Sequence, residues 1–261
     1  RFHQSQSGTQ AVNLVFWTPL SQPKPPASLI AARLAQTVKT YADFYGPLEK
    51  KRSRVWVVDG LSGDDSLRPE NLVVMSLADT VIFNPAHRLG GSPRENTLCS
   101  VEAILAGIWF EQLSEPDAQA RRLAYPLSRL AAAMAHASCW STFFGASNRE
   151  QAVSTLLRSY ESSERTRRQA LGESGERTKL ILAVGKAHFL VFAIEDRVGR
   201  DHLNRALRRM IQSRRGLDWT IDDLRSALEL EAGQNLAEFF RVWLYQPGIP
   251  DDFRHRYMRA P

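Results

Sequence analysis

The chain has 261 residues, of which 43% are hydrophobic and 24% charged, so it can bury a substantial core in one large domain or two small ones. No apolar run reaches the roughly 20 residues that a transmembrane helix needs, and no Walker, dinucleotide-binding or nucleophile-elbow motif occurs. The net charge is +6, but the basic residues stand in small groups beside acidic ones, without a ladder of aromatic residues. This pattern favours a solvated surface over a nucleic-acid-binding stripe.

The start of the sequence and its two cysteines do not determine the cellular compartment. The chain begins with Arg1 rather than Met, so we expect a piece of a longer chain, and membrane association of that longer chain stays open. Cys99 and Cys139 are too few for a disulfide framework, and we predict them to be buried free thiols. Neither redox compartment is excluded, so the localisation is undetermined.

The first third of the chain predicts a small α/β layer. Residues 11–18 alternate and are rich in β-formers, which predicts a strand. Apolar residues at helical spacing predict an amphipathic helix over 28–45, ended by Gly46-Pro47. Two further strands are predicted at 54–60, which we expect to be central and buried, and at 71–77.

After a loop rich in Pro and Gly at 84–95, the pattern becomes almost entirely helical. Helices are predicted near 96–113, 117–137, 149–163, 178–198, 200–214, 221–232 and 236–245. Thr220 and Asp223 form a capping box at one helix start, and Gly233 ends that helix. The order predicts an α+β chain. We divide it into a strand and linker at 1–20, an α/β layer at 21–95 and a helical lobe at 96–261, with 21–261 as one domain.

The tail from Gly199 to Pro250 carries the most specific motifs. Its three amphipathic helices have core faces formed by Leu203, Leu207, Met210 and Ile211, then Leu224, Ala227 and Leu228, then Leu236, Phe239, Phe240, Trp243 and Leu244. The segments G-R-x-x-x-x-A-L-R, T-x-D-D-L-R-x-A-L-E and G-x-x-L-x-x-F-F-x-x-W-L-Y-x-P-G-x-P follow in this order. Together they resemble the C-terminal part of the catalytic domain of zinc aminopeptidases of the aminopeptidase N and leukotriene A4 hydrolase type.

The resemblance covers about residues 11–253 and is strongest after residue 178. Upstream, "ADFYGPLEKKRSRVWVVDG" is similar to the helix and central strand of that family. The resemblance implies a thermolysin-like (gluzincin) fold, with a small α/β layer followed by a mainly helical lobe. The first strand and its Pro-rich exit would suit a junction with a preceding β-domain.

Zinc chemistry in this family depends on H-E-x-x-H followed by x-W-F. One helical turn places the two imidazoles on the same face for zinc, and the Glu activates the metal-bound water. When Trp109-Phe110 is aligned with that W-F, Ala103 and Gly107 stand at the histidine positions and Ile104 at the general base. None of these three side chains can bind a metal or move a proton.

The other catalytic positions are replaced as well. The resemblance puts Pro126 where the family has its third ligand, a glutamate, and a proline there brings the continuity of that helix into question. Ala183 stands at the position of the catalytic tyrosine. In place of G-A-M-E-N, whose Glu holds the substrate amine, only Glu70-Asn71 survives.

The resemblance therefore implies a degenerate peptidase domain without catalytic residues and without zinc. A vestigial groove is expected to involve Glu70, Asn71, Glu102, Trp109 and Phe110, with the strand 71–77 as a docking edge. Glu102 is predicted to lie at the surface or edge of its helix. The leading hypothesis is a non-catalytic domain that binds a protein or peptide partner, or acts as a scaffold in a larger protein.

Two other hypotheses stay open. One is an active zinc-dependent aminopeptidase or metallohydrolase whose metal is held by unrecognised residues; His136 and Cys139, at i and i+3, have ligand-compatible spacing but no visible third partner. The other is a nucleic-acid-associated subunit, which the arginine groups would favour.

Overall fold

The structure is a computed structural model. It describes residues 2–8, 13–19, 27–47, 54–58, 75–77, 80–83, 99, 102–103, 105–107, 109–110, 120–162, 184–214, 217–246 and 248–258. The strands and residues 27–31, 120–122, 162 and 184 are described by their backbone alone.

The described strands form one five-stranded sheet. They are β1 (Phe2–Gly8), β2 (Asn13–Pro19), β3 (Arg54–Val58), β4 (Met75–Leu77) and β5 (Thr80–Phe83), in the spatial order β1-β2-β3-β5-β4. β3 pairs in parallel with both β2 and β5, whereas β1 and β4 add antiparallel edges. A parallel pair needs a crossover connection, and α1 lies in the one between β2 and β3.

The described helices carry the rest of the fold. They are α1 (Ala27–Tyr45), α2 (Ala120–Ala135), α3 (Ser138–Phe144), α4 (Arg149–Ser162), α5 (Val184–Val198), α6 (Arg200–Ser213), α7 (Ile221–Ala232), α8 (Ala237–Tyr245) and α9 (Asp251–Met258). Helical residues also occur at 99, 102–103, 105–107 and 109–110, which we call the Glu102 segment. Among the helices described, none is both long and apolar enough to cross a membrane.

Most predicted helices are confirmed to within a few residues. The predicted helix 28–45 is α1, and it ends where expected because Gly46 adopts a φ of 89°. The helices predicted at 149–163, 200–214, 221–232 and 236–245 correspond to α4, α6, α7 and α8. The Thr220–Asp223 capping box is also present.

Some elements were missed or misjudged. The polar stretch of β1 was not predicted as a strand, and its extended form follows from antiparallel pairing with the apolar β2. The doubt about Pro126 was wrong, because α2 continues through it. The predicted helix 117–137 is shorter, and a separate helix, α3, follows it.

The sequence analysis did not predict α9, although its start carries two signals. Pro250 precedes the helix, and Asp251 and Asp252 lie in its first turn. It is held to the bundle by Arg149 of α4, which donates to the Tyr257 hydroxyl at 2.7 Å and to Asp196 Oδ1 at 2.6 Å. The same tyrosine hydroxyl donates to Asp196 Oδ2 at 2.7 Å. Three helices, α4, α5 and α9, therefore meet at one guanidinium.

The core lies among the helices. The predicted core faces of α6, α7 and α8 are buried, with Phe239 partly buried against them. Strand 54–60 was predicted as central, and β3 does lie in the middle of the sheet order. Every residue whose side chain is described lies in a helix or beside one, so the described part is mostly helical, and the α+β class and the domain boundaries stay predictions.

Candidate functional site

The Glu102 segment is the part of the fold that the zinc-helix alignment singles out. Glu102 is completely buried, with a relative exposure of 0%. The prediction that it lies at a helix surface or edge was therefore wrong. The reason is α1, which covers this face of the segment with a polar stripe of its own.

Two residues of α1 satisfy the Glu102 carboxylate. The Arg33 guanidinium donates from Nε to Oε1 at 2.7 Å and from Nη2 to Oε2 at 2.8 Å, which is a bidentate ion pair. The Thr37 hydroxyl donates to Oε1 at 2.9 Å. A buried carboxylate is tolerated only when it is paired and hydrogen-bonded, and both conditions are met here.

A disulfide lies against this ion pair. Cys99 and Cys139 are bonded to each other and both are buried, so the prediction of free thiols was wrong. The Arg33 Nη2 atom lies 3.4 Å from the Cys99 sulfur and 3.5 Å from the Cys139 sulfur. The Cys139 sulfur is 3.0 Å from Glu102 Oε2, a close contact in which the disulfide sulfur has no proton to donate. We call Arg33, Thr37, Cys99, Glu102 and Cys139 the Glu102 cluster.

Aromatic residues hold the same segment on its other side. The Tyr41 hydroxyl donates to the Glu102 carbonyl oxygen at 2.9 Å, and Trp109 Nε1 donates to the Gly46 carbonyl oxygen at 2.8 Å. The Tyr41 and Trp109 rings meet edge to face with centroids 5.5 Å apart. Burial, and next the charge of Glu102, raise the pKa of Tyr41 well above its usual value, so the hydroxyl stays protonated and keeps donating.

The positions aligned with the zinc ligands offer no donor atoms. Ala103 is buried, and Pro126 is a buried residue inside α2. A Cβ on Gly107 would lie 3.8 Å from the Ser128 hydroxyl oxygen, so α2 lies directly over that position. The side chain of Ile104 and residue Ala183 lie outside the described residues. Zinc held in the family's manner does not fit the described positions.

Three of the expected groove residues, Glu102, Trp109 and Phe110, are described by the structure, and their side chains are buried. Phe110 packs against the Tyr45 ring at a centroid distance of 5.3 Å. Glu70 and Asn71 lie outside the described residues, so the groove stays a prediction. Among the described strands, β4 lies at an edge of the sheet, as a docking strand would require.

The alternative pair of His136 and Cys139 does not come together as ligands. The Cys139 sulfur is committed to the disulfide, and His136 Nδ1 is hydrogen-bonded to the Ser138 hydroxyl at 2.8 Å. Their spacing of three residues predicted that the two side chains would lie on adjacent turns of one helix. The chain instead leaves α2 at Ala135 and begins α3 at Ser138.

A buried lysine was missed by the sequence analysis. Lys186 of α5 has no exposed surface, and its ammonium donates to the Gln246 carbonyl oxygen at 2.5 Å. It also lies 6.0 Å from the centre of the Trp243 ring. Burial lowers the pKa of Lys186 from 10.5 to about 8, because the charged form loses its hydration.

Comparison with solved structures identifies the architecture. An M1 zinc metallopeptidase from Deinococcus radiodurans aligns with 96% of this chain and 52% of its own, at a TM-score of 0.59 and 14% identity. The chain has an M1 peptidase-like fold. An aminopeptidase N family protein from Idiomarina loihiensis (95% of this chain, 47% of its own, TM-score 0.61, 11% identity) is similar as well. So is aminopeptidase A from Legionella pneumophila (95% and 28%, TM-score 0.55, 13% identity).

The similar proteins are longer than this chain. The chain spans about half the length of the Deinococcus and Idiomarina proteins and less of the Legionella one. No model of a known protein family matches the sequence, and no curated protein matches it. At identities of 11–14% the solved structures establish the fold alone.

Replacing Arg33 by methionine should lower the free energy of unfolding by about 3–5 kcal/mol, because the Glu102 carboxylate is left buried without its partner. The double variant Arg33→Met/Glu102→Leu should recover most of this loss, since an apolar pair of similar volume is often as stable as a buried ion pair. Urea unfolding of the oxidised protein, followed by tryptophan fluorescence, measures both changes.

The matched control is Arg241→Met, which removes the exposed pair with Glu238 and should change stability by less than about 1 kcal/mol. Equal effects of Arg33→Met and Arg241→Met would contradict the importance of the buried pair. So would a double variant no more stable than the single one.

Lys186 predicts a distinct pH dependence. Between about pH 8 and the ordinary pKa of 10.5, Lys186 is protonated in the unfolded chain and mostly deprotonated in the folded chain. The destabilising contribution of Lys186 to the free energy of unfolding therefore shrinks as pH rises. The wild type should therefore gain roughly 2 kcal/mol relative to Lys186→Met between about pH 7.5 and about pH 9.5, measured by urea unfolding. Lys39→Met, at an exposed position of α1, is the control and should show no such trend. A wild-type curve parallel to that of Lys186→Met would show that Lys186 keeps its proton across this range.

Proposed function

We propose that this chain is a non-catalytic M1 peptidase-like domain that acts by binding a protein or peptide or by scaffolding. The observation that carries the proposal is the Glu102 segment itself. Where the family pattern needs two histidines, this chain has Ala103 and Gly107, and α2 packs over the second of them. Pro126 takes the place of the third ligand.

The chemistry of peptide hydrolysis explains why these replacements matter together. A zinc peptidase needs three protein ligands to hold the metal and a carboxylate to take a proton from the attacking water. The nearest carboxylate on the segment, Glu102, is occupied on both oxygens by Arg33 and Thr37. It is buried, so it has no access to a bound peptide.

The finer description of the fold belongs to the same proposal. We take residues 21–261 as one thermolysin-like α+β domain, with the sheet as its α/β layer and the helices from residue 96 onward as its lobe. The mixed sheet with a parallel centre and the order of α6, α7 and α8 support this description.

A binding role is the function that an intact scaffold without catalytic groups can still perform. The polar network of the Glu102 cluster and the aromatic packing of Tyr41 on Trp109 keep the segment ordered without a metal. The partner is a protein or peptide, and β4, an edge strand among those the structure describes, is the place where its backbone would pair.

The test is an aminopeptidase assay on the purified, oxidised protein supplied with zinc. Hydrolysis of a panel of chromogenic aminoacyl substrates should not exceed the rate of a mock preparation from cells lacking the chain, and a chelator should leave that rate unchanged. The expected reason is the missing donor set at residues 103, 107 and 126.

A catalytically active M1 aminopeptidase assayed in parallel verifies the substrates and the zinc supply. Turnover above the mock rate that is lost on chelation and restored by zinc would contradict the proposal. It would favour the alternative of a working metallohydrolase.

A further inference from the structure

The Glu102 cluster contains three atoms of the kinds that bind metals, at positions other than those aligned with the family's zinc ligands. The sulfur atoms of Cys99 and Cys139 and a carboxylate oxygen of Glu102 all lie within 4.8 Å of one another, and all three residues are buried. Cysteine thiolates and carboxylate oxygens are both ligand types that proteins use for zinc. In the oxidised chain the two sulfurs are bonded to each other and cannot act as thiolate ligands.

We propose that, when the disulfide is reduced, Cys99, Glu102 and Cys139 bind one zinc ion. This inference goes beyond the proposed function, since it assigns the chain a redox-dependent metal site. It does not depend on peptidase activity.

The backbone already positions the three donors. Cys99 and Glu102 are three residues apart in the same helical segment, so both point to one face. Cys139 approaches from α3, with its Cα 5.4 Å from that of Cys99 and its sulfur 3.0 Å from Glu102 Oε2. Zinc requires its sulfur ligands at about 2.3 Å and its carboxylate oxygen at about 2.0–2.2 Å, so side-chain rotations suffice to close the site.

Charge balance favours a divalent cation. In the oxidised cluster the single negative charge of Glu102 is matched by the single positive charge of Arg33. Two thiolates would bring the buried negative charge to three, of which Arg33 can balance only one. A divalent ion supplies the remaining two positive charges, and buried charge without such compensation is strongly unfavourable.

The redox step can be written in full. An external dithiol transfers two electrons and two protons to the disulfide and is itself oxidised to a disulfide. The products in the chain are two thiols, and zinc binding then releases both thiol protons to solvent.

Arg33 provides room for the ion. Its side chain is 13% exposed, whereas Glu102 is fully buried, so in the proposed site the guanidinium moves toward solvent. Thr37 can keep its hydrogen bond to Glu102 Oε1 while Oε2 binds the metal. A hydrogen bond of this kind orients a metal-binding carboxylate.

The experiment uses protein purified anaerobically under reducing conditions, with two thiols per chain verified by titration, beside the oxidised protein. The reduced protein should bind one equivalent of zinc in competition with a chromophoric chelator. With cobalt it should show a thiolate-to-cobalt charge-transfer band, whereas the oxidised protein should show neither.

Three variants locate the site. Cys99→Ser and Glu102→Gln should each lower the zinc affinity by at least roughly 10- to 100-fold. That is the loss caused by replacing even a residue that only contacts a metal ligand. His136→Ala is the matched control, because it lies three residues from Cys139 but outside the cluster, and it should bind zinc like the wild type. Circular dichroism checks that each variant is folded, and the comparison of reduced with oxidised wild type needs no substitution.

Each outcome separates this inference from the proposed function. Failure of the reduced wild type to bind zinc, or equal loss in His136→Ala and Cys99→Ser, overturns the metal site and leaves the non-catalytic proposal standing. Zinc binding without peptide hydrolysis supports both. Zinc-dependent hydrolysis that disappears in Cys99→Ser supports the site and overturns the non-catalytic proposal.

Discussion

The buried carboxylate of Glu102 is the constraint around which the candidate site is organised. A charge with no exposure to water needs an opposite charge and hydrogen bonds in fixed positions, and Arg33 and Thr37 supply them from successive turns of α1. Tyr41 adds a third contact one turn further along the same helix, to the backbone of Glu102. These contacts fix α1 against the Glu102 segment in one register, and the disulfide then joins that segment to α3.

This arrangement shows how the Glu102 segment is joined to its neighbouring helices within an M1 peptidase-like fold. The Arg33–Glu102 pair connects the segment to α1, and the Cys99–Cys139 bond connects it to α3. At residue 107 a glycine allows α2 to approach closely, since a Cβ there would lie 3.8 Å from the Ser128 hydroxyl oxygen.

The elements that were predictable from sequence are those with local signals. The capping box at Thr220, the glycine at 46 and the apolar faces of α6 to α8 depend on neighbouring residues, and all were found. The Glu102 cluster depends on contacts across 37 to 69 residues, which no local pattern reports. One signal was available: Arg33, Thr37 and Tyr41 repeat every four residues along α1, and so form a polar stripe on the face that also buries Leu34 and Val38.

The proposal that Glu102 is held by Arg33 and that residues 103 and 107 bind no zinc has one most direct test. It is a crystal structure of the oxidised protein soaked in zinc, with anomalous diffraction recorded at the zinc absorption edge. We expect Arg33 to bind Glu102 through two nitrogens, Cys99 to be bonded to Cys139, and no anomalous peak to appear beside residues 103 and 107. A zinc peak beside those residues, held by side chains that the sequence comparison did not recognise, would contradict the proposal.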